Sequence, residues 1–105
     1  MDMADLVKRA QEAQSRAQAI QMQIAQLEIE GQSGGGMVRV VISGKADLKK
    51  VSIDPTLIKP EDREVIEDLV VAAHGDAKNK LERRIAEEMQ KLSAEMGLPP
   101  GLGLG

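Results

Sequence analysis

The sequence predicts an α+β fold in which two long helices flank a small antiparallel sheet. Three observations carry the prediction. Apolar residues from Met3 to Leu27 recur in alternating steps of three and four. In residues 37–43 Val38, Val40 and Ile42 hold every second position, and in 48–53 Val51 and Ile53 alternate with Lys50 and Ser52. From Pro60 to Met96 a second apolar stripe recurs mostly at every fourth residue. The first and last spacings are helical, and the middle one belongs to half-buried strands. At 105 residues the chain fits one compact domain.

The first helix is expected over about residues 2–30. Met3, Leu6, Ala10, Ala13, Ala17, Ile20, Ile24 and Leu27 form an unbroken seam of the kind that winds helices around each other. Its middle is alanine, which lets helix axes approach closely but buries little area. A small domain gains useful stability from burial across a dimer interface. Leu6, Ala10, Ala13, Ala17, Ile20 and Ile24 are therefore the candidate contacts of a homodimer. Val7, Met22, Ala25 and Ile29 lie off the seam, on a side that could rest on a sheet.

The helix is expected to stop at Gly31. The stretch Gly31-Gln32-Ser33-Gly34-Gly35-Gly36 reads either as a flexible linker or as a tight reversal or edge strand with close backbone approach. It lacks the Lys-Ser/Thr of a phosphate-binding P-loop and leads into a strand, which speaks against a phosphate cradle. Val38, Val40 and Ile42 then share one face of a strand over Met37–Ser43. Gly44-Lys45-Ala46-Asp47 reads as a hairpin loop. A second strand follows over Leu48–Ile53, with Val51 and Ile53 inward and Lys50 and Ser52 outward. Two strands alone are marginal, so a short third strand around residues 27–33 would help, and a covering helix is needed.

Asp54-Pro55 ends the sheet in a short helical turn through Leu57. Pro60, followed by Glu61 and Asp62, suits the start of the second long helix, where acids meet the positive end of the helix dipole. That explains the acidic run at 61–68, five acids against one cation. The stripe Val65, Leu69, Ala73, Ala77, Leu81, Ile85, Met89, Leu92, Met96 drifts around the helix because its steps exceed the heptad average. It is widest at 65–73, where Ile66, Val70, Val71 and Ala72 join it, so this part is expected to pack on the sheet. Beyond Gly75 the helix becomes charged and is expected to project outward. Gly97-Leu98-Pro99-Pro100 ends it. The organisation expected is one domain over residues 1–97 and a flexible Pro/Gly-rich tail over 98–105.

Composition narrows the function. There is no Phe, Tyr or Trp, so the core must be aliphatic and no aromatic platform exists for stacking unpaired bases. There is no Cys, which excludes a disulfide scaffold, an iron–sulfur cluster and a cysteine zinc site. No apolar run approaches the roughly 20 residues that span a bilayer, and the acidic start is unlike a secretory signal. A cytoplasmic protein with no membrane partner is expected. His74 is the only histidine, and Asp76, two residues away on a helix, does not face it. With no nucleophile or acid pair in a suitable pattern, neither an enzyme nor a cofactor, metal or small-molecule substrate is expected.

The net charge of −3 counts against nucleic acid, but the charge is segmented. Residues 37–50 carry four cations against one acid, and residues 78–91 carry five against three. Lys80, Arg83, Arg84 and Lys91 share one side of the second helix, with Lys78 apart, and Arg9 and Arg16 stand one heptad apart beside Lys8 on the first. Doubled in a dimer, such rows could track phosphate backbones without reading bases. Pairing with Glu12, Glu87 and Glu88 offers the plainer reading, solvated helix faces, and charge pattern alone favours it.

Several pieces, in order, resemble a known family. They are Gly34-Gly35-Gly36-Met37-Val38-Arg39-Val40, Gly44-Lys45, Val51-Ser52-Ile53-Asp54-Pro55, Glu67-Asp68-Leu69-Val70-Val71-Ala72-Ala73, Asp76-Ala77 and Gly97-Leu98-Pro99-Pro100-Gly101. Together they resemble the YbaB/EbfC family of bacterial nucleoid-associated proteins over about Met3 to Gly101. The sequence departs at Gly75, commonly Asn in that family, and in its Leu-Gly-Leu-Gly tail. The resemblance implies an α-β(3)-α chain with a three-stranded antiparallel sheet, a tight homodimer, and paired helical arms that grip duplex DNA with loose sequence preference. It implies a place at the nucleoid and a role in its organisation or in gene regulation. It also turns the reading of Lys8, Arg9, Arg16, Lys78, Lys80, Arg83, Arg84 and Lys91 from solvated faces toward DNA contacts. The competing expectation is a prefoldin-like adaptor that binds a protein partner through its helices and no DNA. The second helix, stepping by four, suits that layout poorly.

Overall fold

A computed structural model describes residues 2–95 and 97. Helix α1 spans Met3–Ala25, strands β1, β2 and β3 span Glu28–Ser33, Val38–Ser43 and Leu48–Ile53, and helix α2 spans Arg63–Glu95. One-turn helices occupy Gly34–Gly36, Pro55–Leu57 and Pro60–Asp62. The sheet is antiparallel in the order β1-β2-β3. The molecule is a rod, 71 × 21 × 15 Å.

α1 begins where Asp2 accepts a hydrogen bond from the Ala4 N–H at 2.7 Å, a side-chain cap on an otherwise unpaired donor. It ends at Ala25, short of the expected Glu30. Residues 28–30 are instead strand, paired with Ser43, Ile42 and Val41. Glu-Ile-Glu is compatible with helix locally, but as strand it satisfies the edge of β2, and tertiary pairing overrides weak local preference. Ile29 therefore joins the sheet as its edge-strand residue, and the last seam residue, Leu27, lies outside the helix. The expected third strand is β1.

The glycine stretch is no linker. Gly31 lies inside β1, at the point where α2 crosses it. A Cβ there would collide with the Ala73 carbonyl and with the backbone and Cβ of Ala77. Its absence, with alanine on the helix side, lets the two backbones touch. Gly34, Gly35 and Gly36 all have positive φ, at 59°, 66° and 92°, and turn the chain from β1 into β2.

The core lies on one face of the sheet. Val38, Val40 and Ile42 are fully buried beneath Ala73, Ala77 and Leu81 of α2, with Leu57 closing one end. α2 lies over β1 and β2. On the same face β3 presents Leu48 and Val51, paired with Ile42 and Val40, yet these are 51% and 40% exposed. The packed part of α2 runs on past Gly75 to Leu81 and Ile85, further than expected, because the small Ala73 and Ala77 keep the helix low on the sheet. Val71, expected on the packed face, is exposed. The 98–105 tail lies outside the described residues.

Candidate nucleic-acid interface

Beyond Ile85, which still packs against the core, α2 leaves the sheet and meets α1, which runs in the opposite direction. Arg16 bridges to Glu95 at 2.9 Å, and Ser93 of α2 is buried at this junction. On α1, Ala13, Ala17 and Ile20 are half-buried and Ile24 is buried, while Met3, Leu6, Val7 and Ala10 are exposed. The lower part of the heptad seam thus meets a helix of its own chain, and the upper part stands open. Together the helices form an arm. The part of α1 before Arg16, from Met3 to Ser15, rises about 1.5 Å per residue and carries the arm about 20 Å past that bridge.

The structure divides the eight basic residues singled out on α1 and α2 into two sets. Arg16, Lys80, Arg84 and Lys91 are engaged. Arg84 meets Glu88 at 3.3 Å, and Lys91 meets the same carboxylate at 3.7 Å. Both cations are about half exposed or more, so water and salt screen these pairs. Lys8, Arg9, Lys78 and Arg83 make no ion pair among the described residues. Lys80, Arg84 and Lys91 continue the side of α2 that carries Ala73 and Ala77 onto the sheet, since the steps between them are helical repeats. Lys78 lies on another side, as its spacing requires. A shallow open groove between α2 and the start of β1 gathers Lys80, Arg83 and Arg84 with Glu28, Glu30 and Glu87.

Lys80 does more than carry charge. Its ammonium bridges to Asp76 at 2.9 Å and donates to the Glu30 carbonyl at 3.3 Å, while Asp76 accepts from the Gln32 N–H at 3.0 Å. Both backbone groups, on Glu30 and Gln32, lie along the outer edge of β1. One ion pair on α2 therefore satisfies a donor and an acceptor that would otherwise invite another strand. The Gln32 N–H, then Lys80, hold the Asp76 carboxyl below the usual carboxylate range. Asp54 is lowered likewise, by the Thr56 hydroxyl and then the Thr56 N–H. Sequence reasoning missed this edge clamp. Its only trace was the Asp76–Lys80 spacing of four.

His74 is half-exposed on α2, and Asp76 is taken by Gln32 and Lys80, so the two do not form an acid–base pair. Among the described residues no group of three or more His, Asp or Glu could hold a metal ion, and no helix is long and apolar enough to cross a membrane.

A profile of the YbaB/EbfC DNA-binding family matches residues 1–96. A nucleoid-associated protein of Rhodopseudomonas palustris (strain TIE-1) is 52% identical over 104 residues, which is 99% of this chain and 98% of the relative. Nucleoid-associated proteins of Bradyrhizobium sp. (strain ORS 278) and Methylocella silvestris are 46% and 48% identical over 104 and 103 residues. These alignments cover 99% and 98% of this chain and 98% and 96% of the relatives. The crystal structure of an uncharacterized protein from Helicobacter pylori shares the fold, with a TM-score of 0.61 and 24% identity over 91% of this chain and 97% of that one.

Proposed function

The chain belongs to the YbaB/EbfC DNA-binding family, and on that premise we propose that it is a non-enzymatic nucleoid-associated protein of the cytoplasm. It binds duplex DNA as a homodimer, mainly through phosphates, and serves nucleoid organisation or gene regulation. The observation that carries this reading is the arm. Two helices project together from the sheet, and Lys8, Arg9 and Arg83 stand along them with no ion-pair partner among the described residues. With no aromatic residue for stacking, such cations suit backbone contact, which positions a protein on DNA without reading sequence.

The test is a titration of unrelated duplexes at several salt concentrations, with the mass of the bound species recorded. Binding should weaken steeply with salt and alike on every sequence, as counterion release requires. Arg83→Gln should lower affinity uniformly and make the salt slope shallower by about 0.9 for each phosphate that the arginine had neutralised. Absence of binding at low salt would sink the proposal and revive the helix-mediated adaptor.

Self-association completes the proposal. Two surfaces could supply it: the upper seam of α1, including Leu6 and Ala10, and the uncovered strip of β3 around Leu48 and Val51. The strip supports the stronger interface, because it continues the buried face of the sheet and is apolar where α2 stops. Val51→Asp should convert the dimer to monomer in sedimentation, whereas Ala10→Asp on the open upper seam should leave it intact. The reverse result would return the interface to the seam.

A further inference from the structure

The hairpin between β2 and β3 carries cations that the arm does not use. Lys45 lies in its loop, and Lys49 and Lys50 lie at the start of β3. All three are exposed, and none makes an ion pair among the described residues.

The register explains their placement. Val41 pairs with Lys50 but Ile42 pairs with Leu48, so Lys49 is the extra residue of a β-bulge. Leu48 and Val51 pair with buried residues and belong to the core face. The two lysines between them therefore fall together on the opposite, solvent-facing side, where a regular strand would have sent one to each face. The bulge converts an alternation into a doubled charge.

The loop that presents them is held from within. The buried Ser43 hydroxyl accepts from the N–H groups of Lys45 and Asp47, both at 3.2 Å, and the Ser43 N–H donates to the Asp47 carbonyl at 2.9 Å. Gly44 N–H donates to the Leu27 carbonyl at 3.1 Å, which sets the hairpin against the α1–β1 junction, the root of the arm.

The acids of this face lie elsewhere. Glu28 and Glu30 are on β1, two strand spacings or about 10 Å from β3, and Arg39 on β2 stands 3.8 Å from Glu30. Asp47 is the one acid within the hairpin. The sheet's outer face thus grades from acidic at β1 to basic at β3, and the basic edge adjoins the arm's root. It offers neither an aromatic anchor nor an apolar pocket, which leaves point charges for an anionic backbone.

We propose that Lys45, Lys49 and Lys50 form a second phosphate-contact patch that seats the duplex backbone at the root of the arm. This rests on the duplex-DNA reading above. The uncovered apolar strip of β3 points to the other face, so a dimer built on it leaves the patch open.

The experiment compares the full chain with a variant carrying Lys45→Gln, Lys49→Gln and Lys50→Gln, and with one carrying arginine at the same positions. Duplexes of unrelated sequence are titrated over a fourfold range of salt. The glutamine variant should show a salt slope shallower by about 0.9 for each lysine that had met a phosphate, or about 3.5-fold less salt response per lysine over that range. The arginine variant should keep the slope, which separates the removal of charge from a damaged fold. If the unaltered chain binds and the glutamine variant matches it, the patch is overturned and the arm reading stands. If the unaltered chain does not bind at low salt, both fall.

Discussion

The two halves of α2 follow opposite rules. Where the helix crosses β1 and β2, its packing residues are small or aliphatic, Ala73, Ala77 and Leu81, and they are buried over fully buried Val38, Val40 and Ile42. Where it meets α1, the junction is alanine-rich on one side, bridged by the exposed Arg16–Glu95 pair, and lined with charge. Apolar burial stabilises in proportion to area, whereas exposed ion pairs contribute little. The sheet half therefore holds the fold, and the arm half is free to carry charges chosen for another purpose. Stability and DNA binding should be separable by mutation along a single helix.

The strongest attack on this contrast is Gly31→Ala. The new Cβ would meet the backbone of α2, which cannot move without lifting the helix off the sheet. We expect a loss of roughly 3 kcal/mol or more, at the upper end of overpacking costs, read by chemical denaturation. A loss under about 1 kcal/mol would mean that the helix is not seated on β1 as described.

Asp76→Asn tests the clamp by which the sheet half holds the edge of β1. The amide keeps an oxygen for the Gln32 N–H but gives up the charge that holds Lys80. Because the folded-state pKa of Asp76 is lowered, its contribution is present above the unfolded-state pKa and is lost as pH falls through the folded one. Thermal melts should show the variant less stable at neutral pH, with the gap closing in acid. A gap that persists in acid would assign the effect to packing.

Arg16→Ala should have the smallest effect on stability, within about 0.5 kcal/mol, since the pair it breaks is more than half exposed. The same variant should still lower duplex affinity. A large drop in melting temperature would show that the arm, too, depends on that bridge for its stability.

Much of this architecture was legible in the residues. Val38, Val40 and Ile42 alternate because a strand sends every second side chain to one face, and these three form the core. Ala73, Ala77 and Leu81 recur at four because a helix does the same in 3.6. The acidic helix start and the Asp54-Pro55 turn were likewise local matters, set by the helix dipole and by proline's fixed φ. The candidate cations were visible as charge rows, and so was the pairing of Arg84 and Lys91 with Glu88, a few residues away on the same helix, but the distant partners of Arg16 and Lys80 were not.

Tertiary structure decided the rest. Residues 28–30 could join either a helix or a strand, and only the unpaired edge of β2 made them strand. Gly31 read as the start of either a linker or a closely approached edge strand, and only the crossing of α2 above it decided for the strand and shows why a side chain is excluded. Lys80 read as one more basic residue, and only the free edge of β1 gave it the Glu30 carbonyl to hold. The physical reason is the same each time. A repeat of two or 3.6 residues is enforced by the backbone next door and is written in neighbouring letters. A contact across 44 or 50 positions, as in the Asp76 and Lys80 clamp, exists only once the chain has folded back on itself.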